Sequence, residues 1–252
     1  MIAGFRLALG FLTVIPVPAT ATVGRSEARA AMLLGSLAVL PVALAAAGLG
    51  WAAATVGLPS LLAGTIVVAV TTLGTRAMHL DGLADTVDGL GSGPDREKAL
   101  RVMRSGDVGP MGVVALVLVL LTQAAGFGVL LERPLGWLQA AAVIAAARAA
   151  LALGCIAGVP SARPDGLGAL FAGSVPRPAV AVLWLLTAAA LGGAGQLAGQ
   201  PWWQGVVASA VALTGAAVLL GRCVRRFGGV TGDVLGALVE VTLALLVLSL
   251  AV

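Results

Sequence analysis

Gly109-Pro-Met-Gly-Val-Val-Ala-Leu-Val-Leu-Val-Leu-Leu-Thr-Gln-Ala-Ala-Gly-Phe-Gly-Val-Leu-Leu131 carries no charged side chain. At ~1.5 Å per residue, a helix of that length crosses a hydrocarbon core ~30 Å thick. Lipid offers no partner to backbone N–H and C=O groups, so such a run must pair them internally, as a helix. Six further stretches read the same way: approximately 31–56, 60–78, 135–157, 178–198, 202–221 and 235–252. Many are rich in Gly and Ala, which lets helices approach closely in a membrane. Of 252 residues, 60% are hydrophobic and 10% charged, with a mean hydropathy of +1.06. A soluble domain carries roughly 25% charged residues, so this chain could not cover its surface in water. The expected fold is all-α, a polytopic membrane helical bundle of about seven transmembrane helices in one domain over 1–252.

The start of the chain is a separate question. Met1 to Arg6, the apolar run from Leu7 and Ala19-Thr20-Ala21 have the outline of a cleaved signal peptide, but Pro16 and Pro18 interrupt a run that is already short. A retained interfacial or re-entrant segment is the expectation, because ~10–14 apolar residues do not span a bilayer.

Fourteen of the fifteen basic residues are arginines, and they gather at the ends of apolar runs. With a cytosolic N-terminus, 13 of the 15 fall on the cytosolic side, leaving Arg133 outside and Arg148 within a span. That bias follows the positive-inside rule, and the opposite orientation violates it. The turns on the outer side are short, and the long polar segments 79–108, 158–177 and 222–234 all face the cytosol. Basic residues at span ends are no nucleic-acid footprint, which needs a soluble basic patch with aromatics nearby. Cys155 and Cys223 lie far apart in or beside apolar segments and fit no metal or redox spacing.

Six of the eleven acidic residues fall between positions 81 and 107: Asp81, Asp85, Asp88, Asp95, Glu97 and Asp107. At ~100° per residue, Asp81, Asp85 and Asp88 fall at about 0°, 40° and −20°, on one face if the segment is helical. Like charges ~6 Å apart repel by about 3 kcal/mol at an effective dielectric of ~20. A divalent cation turns that penalty into binding, and carboxylates without soft ligands suit a hard ion such as Mg²⁺. The bland alternative is a solvated helical face. His79 is a candidate general base or ligand, and equally a structural histidine.

Gly91-Ser92-Gly93-Pro94 breaks the helix, and Arg96, Lys98, Arg101 and Arg104 follow it. They serve positive-inside retention or grip an anionic phosphate. Asp107 is placed either to add a ligand or to cap the next span. Pro160 to Gly168 is a Pro- and Gly-rich turn bearing Arg163 and Asp165. Between Arg222 and Asp233, the glycines 228, 229 and 232 separate an arginine cluster including Arg226 from a helix start at Thr231. That pattern brings backbone N–H groups to a phosphate. Asp233 and Glu240 share a helical face. Glu240 lies inside a span, where a carboxylate is costly and therefore a functional candidate, or else a partner of Arg148.

Phe11 to Pro18, His79-Leu-Asp-Gly-Leu-Ala-Asp-Thr-Val-Asp-Gly89, Pro160 to Gly168 and Gly228-Gly-Val-Thr-Gly-Asp-Val-Leu-Gly-Ala237 together resemble the cobalamin synthase family, adenosylcobinamide-GDP ribazoletransferase. The resemblance runs almost end to end. It implies a Mg²⁺-dependent enzyme of the bacterial inner membrane that joins adenosylcobinamide-GDP to α-ribazole or its 5′-phosphate and releases GMP. The substrates and the membrane lipid are then its partners. Nucleic acid is not, and a homo-oligomer stays open. Family members often carry an aspartate directly after the Met-Arg pair, whereas here Met103-Arg104 precedes Ser105-Gly106-Asp107. On that resemblance Asp81, Asp85, Asp88 and Asp107 are the expected metal ligands and, with His79, the catalytic set. Arg76, Arg101, Arg104, Arg163, Arg226, Thr231, Asp233 and Glu240 are the expected substrate contacts.

Rival classes fit less well. A membrane CDP-alcohol phosphotransferase spaces its aspartates by three before a glycine and an Ala-Arg pair; here the spacing is four, then three. A prenyltransferase needs a second aspartate-rich run, and Asp233 stands alone. A divalent-ion transporter would set carboxylates along several spans, and only Glu240 lies deep.

Overall fold

A computed structural model of the chain describes residues 1–18 and 23–252. Its elements are helices: α1 (Ile2–Leu12), α2 (Arg25–Thr55), α3 (Ser60–Gly74), α4 (Met78–Gly91), α5 (Arg96–Val102), α6 (Pro110–Leu131), α7 (Gly136–Ala146), α8 (Ala149–Gly154), α9 (Gly166–Phe171), α10 (Arg177–Leu197), α11 (Trp202–Phe227) and α12 (Gly232–Leu250). Six helices are long and apolar enough to cross a membrane, counting α7 and α8 together, or seven if the bent pair α3 and α4 is taken as one span. The chain is a multi-pass helical membrane protein.

The apolar run expected to continue from 60 to 78 is corrected. α3 stops at Gly74, and α4 leaves it at an angle of 91°. Arg76 and Ala77 make the corner in the left-handed region, at φ of 58° and 55°, a conformation that L-residues with a Cβ resist. Three contacts hold it. The Arg76 guanidinium donates to the carbonyls of Gly10 and Phe11 at 2.9 and 2.8 Å, and the Val14 N–H donates to the Gly74 carbonyl at 2.9 Å. The N-terminal segment thus braces the bend. The acidic segment, read as a helical face within a long polar segment, is the helix α4, set at right angles to α3.

Other boundaries shift for local reasons. α2 starts at Arg25, well before its apolar run, because its first turns pack beneath α1: a Cβ on Gly4 would sit 2.4 Å from that of Ala30. α11 continues to Phe227, carrying Arg225 and Arg226 in its last turn, where positive charge complements the helix dipole. The single run expected over 135–157 tightens between α7 and α8, where the Arg148 and Leu151 N–H groups bond three residues back. α1, with 11 residues, is too short to span and buries Ala8 and Leu12 against its neighbours. The Ala19-Thr20-Ala21 cleavage reading lies outside the described residues.

α12 runs through the middle of the bundle, packed against α4, α11, α6 and α8, with Leu238, Leu243 and Leu246 wholly buried. The ends of α3 and α11 and the starts of α6 and α12 meet α4 and α5 on one face. Arg133, on the opposite face, closes the far end of α12 by donating to the Leu250 carbonyl at 2.7 Å.

Candidate active site

α4 and α12 touch through two glycines. A Cβ on Gly82 would fall 2.6 Å from the Asp233 carbonyl oxygen, and one on Gly236 would fall 3.1 Å from the His79 Cα. With hydrogen at both positions, the backbones close to a distance that brings Asp233, in the first turn of α12, beside the acidic face of α4. Asp81 is exposed on that face and Asp85 half-buried. The Asp85 carboxyl is pushed up to about 6 by burial, then by the charges of Asp81, Asp233 and Asp88, with Arg163 opposing. Unfavourable crowding of this kind marks functional sites more often than it marks ordinary surface.

Asp88, expected on the same face as a ligand, is buried, with both oxygens occupied. Oδ2 accepts the Gly109 N–H at 2.7 Å and Oδ1 the Gly112 N–H at 2.9 Å. These are the N-cap and third residues of α6, so α4 supplies the cap that was one of the two roles open to Asp107. Asp107 itself is exposed on the approach to α6 and forms no ion pair among the described residues.

The two Gly-rich turns far apart in sequence are one structure. Ser161 bridges Val230 in parallel, the Ala162 N–H donates to the Val230 carbonyl at 2.9 Å, and the Val230 N–H donates to that of Pro160 at 3.0 Å. A Cβ on Gly229 would meet the Pro160 oxygen at 2.4 Å, so only glycine admits this pairing. The pairing sets Arg163 near Asp85 and Asp233. Arg163 Nη2 donates to the Leu100 carbonyl at 2.9 Å, while Nε is buried without a partner among the described residues. Thr231 caps α12 by accepting the Val234 N–H at 3.2 Å and donates to Asp233 Oδ2 at 3.1 Å. A cavity of about 140 Å³ opens here, lined by Ser161, Arg163, Asp165, Thr231 and Asp233.

The remaining expected residues divide. Arg104 pairs with Asp165 at 3.0 Å near this cavity, and Arg101 pairs loosely with Glu97 at 3.7 Å on an exposed turn. Arg76 and Arg226 are spent on backbone: Arg76 at the α3–α4 corner, and Arg226 on the carbonyls of Gly93, Pro94 and Asp95. Glu240 is buried deep in α12, where its Oε2 accepts Gln123 Nε2 at 2.7 Å; Arg148 is not within ion-pair distance of it. His79 is 3% exposed, and burial holds its imidazole down to about 3, with Arg148 adding. Arg96 was read only as one charge among four. Its Nε donates to the Phe227 carbonyl at 2.6 Å and its Nη2 to that of Ala162 at 3.1 Å, tying α5 to both glycine turns.

Among the described residues, no three His, Cys, Asp or Glu side chains converge closely enough to chelate an ion alone. What the site offers is two carboxylates on α4, a third on α12 and an arginine across from them. Magnesium is commonly held by one or two carboxylates with substrate phosphates completing its shell, and this donor set fits that mode.

The comparisons agree with the motifs. The CobS profile, cobalamin-5-phosphate synthase, matches residues 4–251. A protein named adenosylcobinamide-GDP ribazoletransferase from a Nocardioides species is 45% identical over 98% of this chain and 97% of its own length. Proteins of the same name from Frankia casuarinae and Bradyrhizobium diazoefficiens are each 36% identical, over 98% and 94% of this chain and 93% and 88% of their own lengths. No solved structure matches. A profile match almost from end to end, with relatives this similar over most of their lengths, makes the chain a member of the cobalamin-5-phosphate synthase family of enzymes.

Proposed function

We propose that this enzyme transfers the adenosylcobinamide phosphate moiety of adenosylcobinamide-GDP to α-ribazole or its 5′-phosphate, releasing GMP, with Mg²⁺ required. The observation that carries the reading is the meeting of Asp81 and Asp85 on α4 with Asp233 on α12, opposite Arg163. The names of the relatives supply the substrates. A ribose hydroxyl of the acceptor forms a new O–P bond at the phosphorus attached to cobinamide, the P–O bond to the GMP phosphate breaks, and GMP leaves with the bridging oxygen. The hydroxyl proton passes to a nearby carboxylate. Asp233, oriented by Thr231, is placed to receive the hydroxyl, and Arg163 is placed to neutralise phosphate charge with its planar fork. Asp81 and Asp85, with the substrate's phosphate oxygens completing the shell, would hold Mg²⁺, which supplies charge neutralisation for the diphosphate and its leaving group. Asp88 supports the site by fixing α4 to α6. The arginine bias supports a cytosolic position for this face, and the bacterial relatives support an inner-membrane setting.

Purified protein given adenosylcobinamide-GDP, α-ribazole and Mg²⁺ should yield the joined corrinoid and GMP in equal amounts. Asp85→Asn should stay folded and lose Mg²⁺-dependent GMP release. Full activity in that variant would contradict the assignment.

A further inference from the structure

Beside the acidic site lies a second cavity, of about 230 Å³, enclosed by α1, α2, α4, α8, α9 and α12. Met32, Leu151 and Phe171 give it apolar walls, and Asp81 and Asp233 stand at one side. His79 also lines it, 3% exposed, with neither ring nitrogen partnered among the described residues. An imidazole buried in this way leaves a donor and an acceptor unpaired, at a cost of about 1–3 kcal/mol for each. The volume far exceeds the ~30 Å³ share of one water and falls short of the ~300–1,000 Å³ of a whole-ligand pocket. It therefore suits one ring system of a substrate. The corrin is too large for it, and its lining holds no arginine or lysine to pair with a diphosphate.

We infer that this cavity binds the planar aromatic base of the acceptor nucleoside, and that the His79 ring, whose nitrogens are closed off in the empty cavity, turns to hydrogen-bond a ring nitrogen of that base. The assignment rests on the ribazole transfer proposed above. The ribose then extends past Asp81 and Asp233. Asp233 and Gly232 also line the cavity that holds Arg163, so base and phosphate approach Asp233 from opposite sides. The size of Met32 helps to set which lower base is accepted, and His79 is a specificity-determining contact.

The test uses the full chain in detergent. KM is measured separately for α-ribazole and for adenosylcobinamide-GDP, and α-ribazole binding is titrated calorimetrically without donor. Met32→Trp, which fills the cavity, should weaken α-ribazole in both measurements by at least about tenfold and leave the donor KM within about twofold. Met32→Ala should shift preference toward ribosides of bulkier fused-ring bases. His79→Phe should raise the acceptor KM about tenfold, and His79→Gln should recover part of the loss. Unchanged α-ribazole binding in both Met32 variants would overturn the inference, and is what a lipid chain in the cavity would give. An equal rise in both KM values would overturn it as well. Absence of transfer by the wild-type protein would sink ribazole transfer itself, whereas the donor-free titration tests the cavity by itself.

Discussion

The carboxylate of Asp88 on α4 accepts the N–H groups of Gly109 and Gly112, at 2.7 and 2.9 Å, and so caps α6 from a different helix. The same glycines leave room for it, since a Cβ on Gly112 would meet Asp88 Oδ2 at 2.4 Å. The first turn of α6 and the acidic helix are thereby locked together, and the positions of Asp81 and Asp85 depend on that lock.

Asp88 and Asp81 should therefore fail in different ways. Asp88→Ala leaves two N–H groups without an acceptor, at about 1–3 kcal/mol for a buried one, and should lower the denaturation midpoint in detergent. Its residual activity should keep the wild-type Mg²⁺ half-saturation. Asp81→Asn should unfold as the wild type does but require more Mg²⁺. If Asp88→Ala unfolds normally and shifts the Mg²⁺ requirement instead, the cap is not its role.

Gly82→Ala puts a methyl 2.6 Å from the Asp233 carbonyl and 2.9 Å from its Cα, so α4 must move away from α12. Displacing reacting groups by ~1 Å can cost ~100-fold in rate, and a loss of that order in GMP release is expected with helix content retained. Gly193→Ala, on a face of α10 with nothing within 4 Å, should be neutral. Equal behaviour of the two variants would remove the helix contact from the mechanism.

Hydropathy made the spans legible, because the bilayer demands long apolar helices whatever their packing. It could not mark the α3–α4 corner, since Arg76 between Gly74 and Ala77 reads in sequence as an ordinary basic residue at a span end. The corner depends on carbonyls of α1 that only the folded chain brings to Arg76. The period of α4 put Asp81, Asp85 and Asp88 on one face, but a ~60° stripe is wide enough for Asp88 at one edge to face α6 while the other edge faces the site. The arginines were least legible. A guanidinium that grips phosphate and one that grips carbonyls are the same residue in sequence, and only tertiary structure separates Arg163 from Arg226.

Those two arginines give a direct contrast. Arg163 keeps an unpartnered buried Nε beside Asp85 and Asp233. Arg163→Lys retains charge but loses the planar fork, and should raise the KM for adenosylcobinamide-GDP by about tenfold with little change in the denaturation midpoint. Arg226→Ala removes donors to the Gly93, Pro94 and Asp95 carbonyls. It should lower the midpoint while leaving that KM near wild type. Steady-state kinetics and denaturation on both proteins decide the matter, and reversed outcomes would exchange the two roles.

Glu240 was a candidate substrate contact, yet its Oε2 is held by Gln123 Nε2 at 2.7 Å within the bundle. A side chain that only completes this hydrogen bond can be replaced by its own amide. Glu240→Gln should therefore keep transfer activity within about twofold and keep the denaturation midpoint, because its carbonyl oxygen still accepts from Gln123. Glu240→Leu leaves the Gln123 amide buried without its partner, a cost of about 1–3 kcal/mol, and should lower the midpoint with both substrate KM values unchanged. Loss of activity in the stable Glu240→Gln protein would instead mean that the negative charge itself acts on substrate, and would return Glu240 to the site.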